Sequence, residues 1–159
     1  MCRGSMMKKV FLCVVLAVLV LASLTGCDTE FATEQYDDVE AIAGNTERTV
    51  KIAFAEQTSN EKYVATAGKF SGRQTLGERK FGGDVNVEVL VNMNLSEGKA
   101  KVVLVDGNGN VSTIVECTPD NTEGSFSGMV KMTAGTNKIK LIGADAKDLN
   151  ISVVCPIIN

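Results

Sequence analysis

Not one histidine or tryptophan occurs in these 159 residues, and there are only two tyrosines and two prolines. Without histidine, the usual Ser-His-Asp and Cys-His nucleophile–base pairs cannot be assembled, and histidine metal sites are excluded with them. Without tryptophan, and with Tyr36 and Tyr63 as the only tyrosines, the chain lacks the aromatic platform on which sugar rings commonly stack. Basic residues are in the minority, 16 against 19 acidic ones. A nucleic-acid partner is therefore not expected, because phosphate contacts need clustered Lys and Arg. No segment after residue 47 carries a sustained helical apolar stripe, so nothing supplies the crossover that a parallel sheet requires.

What is present begins at the N terminus. Met7-Lys8-Lys9 leads into an apolar run from Val10 to Leu24, closed by Leu24-Thr25-Gly26-Cys27. A charged start, an apolar core and a small-residue exit make a secretory signal peptide. The run falls short of the ~20 apolar residues that span a ~30 Å hydrocarbon core, and polar Asp28-Thr29-Glu30 follows the cysteine at once.

Leu-Thr-Gly-Cys resembles the lipobox of bacterial lipoproteins. The resemblance implies a signal peptide over 1–26 and a diacylglyceryl group on the thiol of Cys27, which becomes the first residue of the mature protein. It also implies attachment to the extracytoplasmic face of the cell membrane, since two acyl chains hold a protein stably where one binds marginally. No activity comes with it.

Cleavage changes the composition. Arg3, Lys8 and Lys9 leave, so 16 basic residues become 13 against an unchanged 19 acidic ones, and the net charge moves from −3 to −6. Of the five cysteines, Cys2 and Cys13 leave and Cys27 carries lipid. The remaining pair, Cys117 and Cys155, has two readings in an exported protein, a disulfide or two buried free thiols. A closed zinc site is disfavoured, because two cysteines without histidine leave the sphere incomplete.

Residues 27–47 are acidic and irregular, and read as a solvated, lipidated tether. Tyr36, Val39, Ile42 and Ala43 are spaced for one helical turn within it. From residue 48 the period switches to two. Val50, Ile52 and Phe54 alternate with Thr49, Lys51 and Ala53, and Val85 to Met93 places five apolar residues on one face. Ala100 to Val105 and Val111 to Cys117 flank Asp106-Gly107-Asn108-Gly109-Asn110, a strong hairpin signal. Further strands are expected at Phe126–Met132, Asn137–Ile142 and Asn150–Cys155, with turns at Ala134-Gly135 and Gly143-Ala144-Asp145. Tyr63–Phe70 and Gln74–Phe81 are weaker strand signals punctuated by Gly72 and Gly77. Eight or nine short strands over 48–159 predict an all-β fold, an antiparallel β-sandwich of immunoglobulin-like or jelly-roll type. The segments Glu97–Val111 and Gly135–Gly143 resemble parts of small surface lipoproteins of uncharacterised role, which implies the same fold and no function.

Candidate chemistry is sparse. Asp106, Asn108 and Asn110 resemble the opening of a calcium loop, but the glycine and the bidentate glutamate such a loop needs fall on Val111 and Cys117. Turn chemistry explains these residues better. No catalytic residue, metal ligand or cofactor is assigned, and Cys27 is the one residue given a definite role. The expected function is a non-catalytic binding or structural module of the cell envelope, anchored in the membrane and facing an envelope protein or polymer. The alternatives are a glycan- or calcium-binding module and a hydrolase that uses carboxylates.

Overall fold

Apolar–polar alternation builds seven strands in the computed structural model, which describes residues 35–158. The chain divides into two units, Met1–Phe31 and Ala32–Asn159, and the described residues belong to the second. The signal sequence and Cys27 lie outside the described residues. A short helix, α1 (Val39–Ala43), precedes β1 (Arg48–Ser59), β2 (Lys62–Phe81), β3 (Val85–Asn94), β4 (Glu97–Val105), β5 (Val111–Cys117), β6 (Glu123–Met132) and β7 (Gly135–Val154).

All pairing is antiparallel. One path runs β1-β2-β7-β3-β6, and β4 joins β7 on one side and β5 on the other. The second half of β7 pairs with β3 from Asn150 to Val154, whereas its first half pairs with β4 from Lys138 to Lys147. This change of neighbour lets one bent sheet close on itself as a β-sandwich. Between the layers lie Val89, Val91 and Met93 of β3, Val102 and Leu104 of β4, and Leu141, Ile151 and Val153 of β7.

Two pairs of expected short strands are single strands of 20 residues each. Gly72 and Gly77 mark register shifts inside β2. Gly143-Ala144-Asp145 continues β7, with the bend taken up by left-handed backbone at Asp145 and Asp148. Gly143 cannot be larger, because a Cβ there would sit 2.4 Å from a ring carbon of Phe70.

The first strand also differs from its simple alternation. Ala53 has a φ of +49° and no partner in the β1–β2 ladder. Gly68 opposite it is unpaired as well, and the register is the same on both sides, with Ile52 facing Lys69 and Phe54 facing Ala67, so the left-handed residue twists the strand without inserting a residue. Phe54 therefore joins the inward side and stacks at 6.4 Å from Phe70, while Val50 and Ile52 are 38% and 55% exposed.

The reading of 27–47 as a solvated tether is corrected over its described part. Tyr36 and Ile42 are each 1% exposed and pack with Val103, Val105, Ile142 and Ala144 in a second apolar cluster. Residues 35–44 thus form a strap over the outer face of β4 and β7. That cover explains why β4 is buried on both faces from Ala100 to Val105, where an uncovered sandwich strand would alternate. The side chain of Asp38 caps α1 by accepting from the Ala41 N–H at 3.0 Å. At its other end Lys140 donates to the Ile42 carbonyl at 2.8 Å and to that of Gly44, where a cation offsets orphan carbonyls. Lys140 is almost fully buried, and desolvation, with Lys138 and Arg73 nearby, pushes its ammonium below the ordinary lysine range.

Candidate binding cleft

Four separate stretches of chain meet in an open cleft of about 790 Å³ beside the strap. Ala43, Asn45 and Glu47 come from the end of the strap, Thr75 and Glu78 from β2, Val105, Asp106, Gly107 and Gly109 from the β4–β5 turn, and Thr136 and Lys138 from β7. Each is positioned by local structure. Thr75 and Glu78 flank the irregularity at Gly77, whose Cα lies so close to Ile157 that a Cβ would fall 2.6 Å from the Ile157 carbonyl oxygen.

The β4–β5 turn is rigid because its own carboxylate is spent on it. Asp106 accepts from the backbone N–H of Asn108 at 2.8 Å and of Asn110 at 2.9 Å, and from the Asn110 amide at 3.0 Å. The Asn110 amide, and then these backbone donors, hold the Asp106 carboxyl below the usual carboxylate range. Gly107 presses against the β6–β7 turn, where a Cβ would stand 2.0 Å from the Ala134 carbonyl oxygen. The sequence motif Asp106–Asn108–Asn110 is therefore a hairpin turn. Among the described residues no cluster of three His, Cys, Asp or Glu side chains could hold a metal ion.

The remaining polar groups face the cleft with capacity to spare. The ammonium of Lys138 donates to the side-chain oxygen of Asn45 and lies 4.0 Å from Glu78. The Lys138 side chain is 14% exposed and that of Glu78 62%. Glu47 accepts from the Thr75 N–H at 2.6 Å through one oxygen. The lining thus combines ammonium, carboxylate, amide and hydroxyl groups on an open surface. Such a set can exchange hydrogen bonds with a polyhydroxylated ligand. A smaller groove of about 450 Å³ lies over Asn92, Asn94, Glu123 and Ser125, at the edge where β3 pairs with β6.

Cys117 and Cys155 are free, buried thiols, so the disulfide reading is corrected. Cys117 donates to the Met93 carbonyl oxygen at 3.5 Å. Cys155 lies just beyond the end of β7, where its N–H donates to the Glu61 carbonyl at 2.8 Å. Burial raises both thiols above their ordinary range. Of the cleft residues, sequence reasoning singled out only the turn. Lys138, Asn45, Glu47 and Glu78 carry no local motif, and only strand pairing brings them together.

No family model matches the chain, and no curated protein does. Solved structures with partial overlap include a family 29 carbohydrate-binding module complexed with mannohexaose, at 13% identity and a TM-score of 0.38, covering 70% of this chain and 82% of that one. A carbohydrate-binding module from Cellvibrio mixtus lichenase 5A in complex with cellotriose overlaps at 9% identity and a TM-score of 0.35, over 67% and 95% of the two chains. An exo-beta-1,3-galactanase from Phanerochaete chrysosporium overlaps at 12% identity and a TM-score of 0.33, over 67% of this chain and 29% of that one. Overlap of this extent carries neither a ligand nor a site to this protein.

Proposed function

We propose that this protein is a lipid-anchored, extracytoplasmic and non-catalytic binding module of the cell envelope, and that its cleft takes a polyhydroxylated glycan. The observation that carries the ligand class is the lining itself, in which Lys138, Asn45, Glu47, Glu78 and two threonines surround an open space. Sugars are bound through many such hydrogen bonds. Tyr36 and Tyr63 are both buried, so aromatic stacking adds nothing here and affinity stays modest.

A non-catalytic role is supported by the lack of histidine, which removes the usual nucleophile–base pairs. The anchor reading rests on Leu24 to Cys27. If Cys27 bears lipid, seven residues separate it from Gln35 at the strap, a reach of at most roughly 28 Å. The sandwich then works close to the membrane, on a ligand of the envelope rather than one at a distance.

The test is amide NMR of the mature chain, titrated with soluble hexaoses of mannose, glucose and xylose at millimolar concentration. Shifts confined to Asn45, Thr75, Thr136 and Lys138 are expected with at least one of them. Silence from all three overturns the glycan reading. Membrane fractionation of wild type against Cys27→Ala addresses the anchor separately, and an equal distribution of the two forms refutes it.

A further inference from the structure

We infer that docking of the strap completes the cleft, making Tyr36 and Ile42 positioning residues for a site that neither of them lines. This rests on the reading of the cleft as the binding site. One wall of the cleft is the strap's own continuation, Ala43, Asn45 and Glu47. Asn45 and Glu47 are exposed, so packing of their own does not hold them in place. What holds them lies on either side. After them, Arg48 begins the ladder opposite Arg73. Before them, Lys140 clasps the carbonyls of Ile42 and Gly44, and Ile42 is sunk in the second apolar cluster.

The strap's other fixing point is Tyr36. Its ring carries the ammonium groups of Lys99 at 4.1 Å and Lys101 at 4.2 Å, a cation–π arrangement. Its hydroxyl donates to Glu116 at 2.8 Å, and Asp37 beside it pairs with Lys101 at 2.7 Å. None of Tyr36, Lys99, Lys101 and Glu116 lines the cleft. Releasing the strap at this end withdraws Asn45 from Lys138 and Glu47 from the Thr75 N–H, while the sandwich core between the layers stays intact. Coupling of this kind is reciprocal: a ligand that needs the docked wall also holds the strap down. Because the strap is the part of the domain nearest the proposed anchor, the site would respond to what pulls on the N terminus.

The experiment compares the mature wild-type chain with Tyr36→Ala and with the milder Tyr36→Phe, which loses only the bond to Glu116. The readouts are acylation of Lys138 and hydrogen exchange at the amides of Thr75 and Val91. The expected result for Tyr36→Ala is at least a tenfold rise in Lys138 labelling and faster exchange at Thr75, each exceeding any change at Val91 in the core. Tyr36→Phe should give a smaller rise in the same direction, and it decides the matter if Tyr36→Ala fails to fold. Unchanged Lys138 and Thr75 in a variant whose Ala41 and Gly44 amides exchange freely would overturn the inference. Mannohexaose provides an independent arm: weaker binding by the variants supports the coupling, and equal binding by all three forms refutes it. If mannohexaose binds none of them, that counts against the glycan reading alone, and the labelling still decides the coupling.

Discussion

Replacing Ile42 by alanine is the sharpest check that the strap belongs to the fold. Ile42 is 1% exposed and packs against Val103, Val105, Ile142 and Ala144. Truncation removes about three methyl or methylene groups, at ~0.8 kcal/mol each. A residual cavity adds to that loss, because the strand residues beneath cannot collapse into it, and Ile→Ala costs fall in the range of ~2–5 kcal/mol. A cost of about 3 kcal/mol is expected, which for a domain of this size lowers the melting midpoint by roughly 10–15 °C. Thermal unfolding of the mature chain, followed by circular dichroism beside hydrogen exchange at Ala41 and Gly44, measures both parts. An unchanged midpoint with freely exchanging strap amides would show that the strap opens independently of the sandwich. The argument that Ile42 packing adds to the stability of the domain would then be refuted.

Three further outcomes are expected. Burial, and then the acceptors Glu116 and Glu56, push the hydroxyls of Tyr36 and Tyr63 well above the ordinary tyrosine range. Folded pKa values above the unfolded ones mean stability that is complete below pH ~10 and is lost as pH rises beyond it. The double variant Tyr36→Phe, Tyr63→Phe should flatten that alkaline loss in urea titrations, and a loss as steep as in wild type would contradict the assignment. Gly98 has a φ of +77° and approaches Asp145 so closely that a Cβ would lie 2.1 Å from its carbonyl oxygen. Gly98→Ala should therefore destabilise by at least about 2 kcal/mol, read from the urea midpoint, and a neutral effect would show that β4 can shift freely there. Unfolding the mature chain without reductant should release two reactive thiols, Cys117 and Cys155, and finding none would reinstate the disulfide.

Much of the fold is legible in the sequence because its cause is local. The face of Val89, Val91 and Met93 against Asn92 follows from the two-residue period of a strand. The hairpin at 106–110 follows from a carboxylate that satisfies its own turn and glycines that tolerate it. The helical spacing of Val39, Ile42 and Ala43 foreshadows α1. The cleft was not legible, since Asn45, Thr75 and Lys138 are far apart in the chain and none of them belongs to a motif.

By itself, then, the sequence determined the strand-rich character of residues 48–159, the principal hairpin, the absence of histidine chemistry and the expectation of an anchor at Cys27. Only the tertiary structure decided the rest. Alternation reports which side of a strand is apolar, but not what covers the other side, so the burial of β4 on both faces required Tyr36 and Ile42 to be seen lying over it. It also cannot report a local twist of the backbone. One residue with left-handed backbone, Ala53, turned Phe54 inward and left Val50 and Ile52 in solvent. Bends at Asp145 and Asp148 likewise fused two expected strands into one. These outcomes depend on pairing between distant segments, and no local pattern encodes that.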